Sequence, residues 1–147
     1  MKSFDTNIIV YSINSAIPEH ERVRSFLEEL SVDDTVVVAE QALTEVYLLV
    51  RNPSVFANLY SAAEAVELCR QFRSNSKWKL VDCLPVMEDV WKLAARPGFT
   101  RRRIIDARLA LTLRGAGVTE FATANVKDFG DFGFDRVWNP LRKTSAR

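Results

Sequence analysis

Three acidic side chains stand where the surrounding pattern calls for something apolar. Asp5 follows "MKSF" and precedes the uncharged run "NIIVY"; Lys2 lies three residues back, and the next cationic residue is Arg22. Glu45 falls in "EQALTEVYLLV", where the positions three and four residues away are Gln41, Ala42, Leu48 and Leu49. No intrahelical ion pair is open to it. Asp106 sits in "RRRIIDARLALTL", with Leu109, Ala110 and Leu113 ahead and Arg102 and Arg103 one turn behind. A lone carboxylate is costly to bury, so such groups meet a cation, a donor or a metal.

Each acid has a plain structural explanation. Asp5 would cap a first helix, Glu45 would sit half exposed at a helix edge, and Asp106 would pair with Arg102 or Arg103. Taken together they point to shared chemistry. Carboxylates gathered at one point repel and raise one another's pKa, and a hard divalent cation with oxygen ligands relieves the crowding. Mg²⁺ takes one or two carboxylates plus water and phosphate oxygens, and Mn²⁺ readily substitutes. Such a site can activate a water against a phosphodiester. This chemistry needs no histidine. His20 is the only one, in the polar run "PEHER", and reads as a solvated surface residue. Cys69 and Cys83 are far apart with no CxxC motif, and read as buried thiols of a reducing compartment.

The elements that must carry these acids alternate between short strands and helices. "KSFD" and the β-branched "TVVVA" read as strands. "NIIVYSIN", capped by Thr6 or Asn7, and "EHERVRSFLEEL" read as helices. "EQALTEVYLLVRN" is helical up to Asn52-Pro53, and "SAAEAVELCRQFRSN" follows as another helix. "WKLVDCL" is extended, "PVMEDVWKLAARPG" is a helix bounded by proline, and "TRRRIIDARLALTLRGAG" is an apolar helix with a basic entry. "VTEFATA" and "RVWNP" complete the strands, with a turn and short helix "NVKDFGDFG" between them. This order predicts right-handed βαβ crossovers and an α/β fold with a mostly parallel sheet. Sites in such sheets form beyond the carboxyl ends of the strands, which is where Asp5, Asn125 and Asp128 fall.

A length of 147 residues fits one domain, placed at 1–141, with 142–147 as a frayed tail. The net charge of +1 selects neither for nor against nucleic acid. No apolar run approaches 18 residues, so a cytoplasmic protein with no membrane segment is expected. The stretch "RPGFTRRR" gathers Arg96, Arg101, Arg102 and Arg103 just before Asp106. It offers phosphate contacts, with Phe99 as a base-stacking surface. Cations in a first helical turn oppose the helix dipole, which points to a compensating anionic ligand.

"FDTNIIVY", "LTEVYLL", "RIIDARLALT" and "TANVKDF" resemble, in order and over nearly the whole chain, the motifs of the PIN-domain ribonucleases. Within them the likeness is to the VapC-type toxins of bacterial toxin–antitoxin pairs. The resemblance implies a three-layer α/β/α domain with a short twisted sheet. It also implies a Mg²⁺- or Mn²⁺-dependent endoribonuclease cutting a structured RNA such as tRNA or rRNA. Asp5, Glu45 and Asp106 would be metal-binding acids, and the fourth position lies between Asn125 and Asp128, the latter also a dipole-favoured helix-start acid. Thr6 and Asn7 would orient Asp5 and a water on the metal. Thr123 would do the same near Asn125, or serve only as a strand residue. A cognate antitoxin and a homodimer are implied as partners. "NPSVFANLY", with Val55, Phe56, Leu59 and Tyr60, is either a strip beside the antitoxin groove or core packing. Two rivals remain. A haloacid-dehalogenase-like phosphatase needs a second acid where Asn7 stands, and a catalytically weak PIN-like binding module is kept open by Asn125.

Overall fold

Five three-residue strands form the centre: β1 (Lys2–Phe4), β2 (Val37–Ala39), β3 (Lys79–Val81), β4 (Glu120–Ala122) and β5 (Arg136–Trp138). In this computed structural model, which describes residues 1–143, every ladder is parallel. β1 pairs with β4, β4 with β5, and β2 with β3, while a parallel bridge between Lys2 and Val36 joins the two parts. The sheet therefore runs β3-β2-β1-β4-β5. From β1 the chain moves outward through β2 and β3, then returns to β4 on the other side. That reversal makes the carboxyl ends of β1 and β4 a switch point, where helices diverge and leave a crevice.

Side-chain alternation along the strands builds two cores. Phe4, Val36, Val38 and Ala122 face one side, and Val37, Ala39 and Phe121 face the other. The first face is covered by α1 (Thr6–Ile13), α2 (His20–Leu30), α3 (Glu40–Val50) and α4 (Ala62–Arg73), which bury Ile8, Val23, Val46 and Ala65. The second is covered by α5 (Met87–Ala94), α6 (Arg103–Gly115) and α7 (Val126–Phe129), through Val90, Leu109, Leu113 and Phe129. A sheet buried on both faces needs strands apolar at every position, which is why "VVVA" carries no alternation. Phe121 stacks on Phe134 at 5.1 Å and meets Phe129 at 4.8 Å.

Several local expectations are corrected. Asp5, not Thr6 or Asn7, caps α1. α6 begins at Arg103, so Arg101 and Arg102 precede it and only one arginine opposes its dipole. Cys83 is exposed and Cys69 only half buried, its Sγ donating to the Leu43 carbonyl at 3.3 Å. His20 opens α2 half buried, with Nδ1 3.2 Å from the Tyr11 carbonyl, because α1 and α2 pack together. Phe56 is buried and edge-on to Tyr60 at 6.1 Å, whereas Leu59 is exposed, so that segment divides between core and surface. Among the described residues no helix is long and apolar enough to cross a membrane. Of the expected tail, Arg142 and Lys143 are exposed and 144–147 lie outside the described residues.

Candidate active site at the carboxyl ends of β1 and β4

Asp5 sits where β1 stops and α1 starts, its N–H donating to the Ala122 carbonyl of β4 at 2.9 Å. Its side chain is only 7% exposed. Three donors hold the carboxylate: the Thr6 N–H on Oδ1 at 2.8 Å, and the Asn7 amide (2.9 Å) and Thr123 hydroxyl (2.8 Å) on Oδ2. The Asn7 amide also reaches Thr123 Oγ1 at 3.3 Å, and its own oxygen accepts from the Ala124 N–H at 3.2 Å. Thr123, fully buried, accepts the Asn125 N–H at 3.0 Å. Both polar atoms of the Asn7 side chain are thus committed to fixing the β1 and β4 ends. Thr6 contributes through its backbone; its hydroxyl instead donates to the Ala42 carbonyl at 3.2 Å, tying α1 to α3.

Glu45 is half buried on α3, one turn after β2 delivers the chain to the same edge. Gln41 donates to Glu45 Oε1 at 3.1 Å and to the Ile105 carbonyl at 3.0 Å, linking α3 to the start of α6. Sequence reasoning missed that bridge, although Gln41 lies one turn before Glu45. Asp106 is half buried on α6. The arginine behind it is spoken for: Arg103 pairs with Asp131 and lies over the rings of Phe132 (4.9 Å) and Phe99 (5.7 Å). Among the described residues, Asp5, Glu45, Asp106 and Asp128 take part in no ion pair.

The acids feel one another. Burial pushes the Asp5 carboxyl up to about 6, against the Thr123 hydroxyl bond, and the charges of Glu45 and Asp106 push it further. Burial also lifts Asp106 to about 6, aided by Asp128 and Glu45 and opposed by Arg103. Asp128 is exposed on α7, yet its charge reaches Asp106; Asn125 precedes α7 with its side chain exposed and making no cap bond. Of the two, Asp128 is the one whose charge bears on Asp106.

The potential ligands are carboxylate oxygens without imidazole or thiolate, which suits a hard cation. Among the described residues no three acids, histidines or cysteines stand close enough to grip an ion by themselves. A hard cation there would take one or two of the carboxylates directly and keep several waters. Arg96, Arg101 and Arg102 are exposed before the site, but Arg103 is engaged and Phe99 packs half buried beside it. Arg103 is thus oriented by an exposed acid and two rings, while its buried Nε has no hydrogen-bond partner among the described residues. A groove of about 540 Å³ beside Glu45 is lined by Gln41, Leu48, Leu49, Ile105 and Arg108. Arg108 is a further cation that sequence reasoning passed over, two residues after Asp106.

No protein-family model matches the chain. It is 50% identical over 141 residues to Ribonuclease VapC24 of Mycobacterium tuberculosis, in two strains, with 96% of this chain and 97% of the relative covered. In structure it is similar to Mycobacterium tuberculosis VapC20, a Sarcin-Ricin loop cleaving toxin, with a TM-score of 0.68 and 16% identity over 91% of this chain and 96% of the other. It is also similar to FitAcB from Neisseria gonorrhoeae, with a TM-score of 0.62 and 23% identity over 97% and 100% of the two chains. At these identities the solved structures show a shared fold. With half of its residues identical to those of a VapC ribonuclease over almost all of both chains, and with this fold, the chain belongs to the VapC-type PIN-domain ribonuclease toxins.

Proposed function

We propose that the chain is a Mg²⁺- or Mn²⁺-dependent endoribonuclease, the toxin of a toxin–antitoxin pair, acting on a structured RNA such as tRNA or rRNA. One observation carries the reading: Asp5 is buried, free of any ion pair among the described residues, held by three donors and pushed up by the charges of Glu45 and Asp106. Asp5, Glu45, Asp106 and Asp128 would hold the cation. A divalent ion there supplies Lewis-acid charge to the phosphodiester and to an attacking water. Asn7 and Thr123 keep the Asp5 carboxylate in one orientation, so no reorganisation is needed when substrate arrives. Arg96, Arg101 and Arg102 lie where they would draw phosphates toward the acids.

VapC20 is named as a toxin that cleaves the sarcin–ricin loop, which favours a structured RNA here as well. A cognate antitoxin is the expected partner. Leu48 and Ile105, both strongly exposed beside the Glu45 groove, give it an apolar seat. A homodimer is proposed from family membership alone.

The test is cleavage of total cellular RNA by the wild-type chain and by Asp5→Asn and Asp106→Asn, with Mg²⁺ and with chelator. Each variant should lose activity roughly 100-fold or more, the scale of removing one pre-organised electrostatic group. Cleavage by Asp5→Asn at the wild-type rate overturns the assignment. A second reading, a catalytically weak binding module, is favoured by Asn125 and by the absence of a ready three-acid grip. Calorimetry separates the two, since an active centre gives Mn²⁺ heat that Asp106→Ala removes.

A further inference from the structure

The edge strand β5 finishes at the same side of the sheet as Asp5. The Thr123 N–H donates to the Trp138 carbonyl at 2.9 Å, and the Asn139 amide donates to the Ala124 carbonyl at 3.4 Å. The chain leaving β5 is therefore tied to the loop that fixes Asp5. Strands lie ~4.8 Å apart, so two spacings put this exit about 10 Å from the end of β1. Beyond it, between α2 and the β5 exit, opens a groove of about 560 Å³. Three arginines line it, Arg22, Arg136 and Arg142, against two glutamates, Glu21 and Glu29.

The arginines are placed for an anion. Arg136 lies over the Trp138 ring at 4.6 Å, and Trp138 is set edge-on to Phe26 at 6.2 Å, so the guanidinium rests on a packed aromatic pair. A guanidinium held this way loses little further freedom on forming paired bonds to phosphate. Its one acidic partner, Glu120 at 3.5 Å, is on the surface, and exposed pairs are weak competitors. Arg142 is exposed and in no ion pair among the described residues. Arg22 donates to the Leu141 carbonyl at 2.6 Å and so pins the segment that carries Arg142.

We propose that this groove holds the sugar–phosphate backbone of a single-stranded RNA segment on one side of the scissile bond. The inference rests on the reading of the acids as an RNA-cleaving centre and adds a contact surface remote from the Arg96–Arg103 stretch. The recognition is of charge, not of base identity. The arginines meet phosphates, and the groove's volume lies in the range that ligand-sized groups fill.

The experiment measures binding of a labelled single-stranded RNA by anisotropy from 50 to 300 mM salt, in an Asp5→Asn background that leaves the RNA intact. Arg136→Gln/Arg142→Gln is compared with the parent, with Arg142→Gln alone in case the pair disturbs Trp138, and with Lys77→Gln at the far side of the sheet. Each lost phosphate contact lowers the log–log salt slope by about 0.7. The double variant should lose about 1.4 in slope and bind on the order of tenfold more weakly at 0.1 M salt, Arg142→Gln about half that slope, and Lys77→Gln nothing. Unchanged slope and affinity in both arginine variants overturn the groove, as does a parent that binds no RNA. Cleavage of total cellular RNA by the chain carrying Asp5 is read separately. A chain that binds with the expected slope but leaves total cellular RNA uncut supports the groove and overturns the nuclease reading alone.

Discussion

Asp5→Asn should stabilise the metal-free protein at neutral pH while removing its activity. The Asp5 carboxyl is raised from 3.8 to about 6 in the fold, chiefly by burial. At about 1.36 kcal/mol per pH unit, that rise corresponds to roughly 3 kcal/mol of stability withheld when the group is ionised. The side chain is only 7% exposed, so solvent screening takes little off this figure. The folded pKa lies above the unfolded one. The protonated acid therefore favours folding fully below about pH 4, and the advantage fades as pH rises through 6. Asparagine removes the charge but turns an amide toward the Asn7 amide, a donor conflict costing about 1 kcal/mol. The net gain at pH 7.5 should be about 1–2 kcal/mol, near a 1 M rise in urea midpoint, and it should vanish or reverse at pH 4. Urea unfolding of both chains in chelator, at several pH values, measures the difference directly. Comparing variants cancels the titrating groups that do not interact with Asp5, leaving Glu45 and Asp106 as its coupled neighbours. A difference that stays flat from pH 4 to 7.5 would refute the claim that Asp5 is ionised against its surroundings. Added Mg²⁺ should raise the wild-type midpoint and leave the variant's in place.

Two further outcomes test the surrounding frame. Thr123→Val removes the hydroxyl that donates to Asp5 and accepts from Asn7 and Asn125, and should cost about 1–3 kcal/mol by urea unfolding, with Thr123→Ser restoring most of it. Lys2→Met breaks the 2.7 Å contact with Asp33, whose carboxyl the Lys2 ammonium and Thr35 hold well below the usual range. The pair is partly exposed, so the cost should be about 1 kcal/mol or less. It should appear in thermal melts above pH 4 and disappear as pH falls through the lowered Asp33 pKa.

The strands and helices were legible because burial on both faces leaves a compositional trace: "TVVVA" can only be an interior strand, and "RIIDARLALTL" an apolar helix. The acids themselves stood out for a related reason: each falls in an otherwise apolar run, and Glu45 has no basic residue three or four positions away. What the chain order hid were contacts between segments distant in sequence. Arg103 reads as an unpartnered cation beside Arg102, yet Asp131 and Phe132, nearly thirty residues on, set its orientation. His20 reads as solvated, yet the packing of α2 on α1 brings it to the Tyr11 carbonyl. Val55 to Tyr60 read as one strip, yet only Phe56 of them is buried. In each case the deciding partner belongs to a different element, and periodicity carries no information about it.

Asn7 shows why the site is built from an acid and an amide rather than two acids. Its nitrogen stands 2.9 Å from Asp5 Oδ2, and its oxygen takes the Ala124 N–H. An aspartate there would set two carboxylates in contact within a buried space, where one must stay protonated. It would also leave Thr123 Oγ1 without the amide hydrogen it now accepts. A neutral donor lets Asp5 keep its charge while Glu45 and Asp106 crowd it from the other side. The same substitution of amide for acid removes the second carboxylate that a covalent phosphatase requires. At 125 the economy differs, because that side chain is exposed and makes no cap bond, while the charge that reaches Asp106 comes from Asp128 one helical turn later. The negative charge of this site is thus spread over four elements, Asp5 after β1, Glu45 on α3, Asp106 on α6 and Asp128 on α7. Only a fold that brings the ends of β1, β2 and β4 to one edge can make them act together.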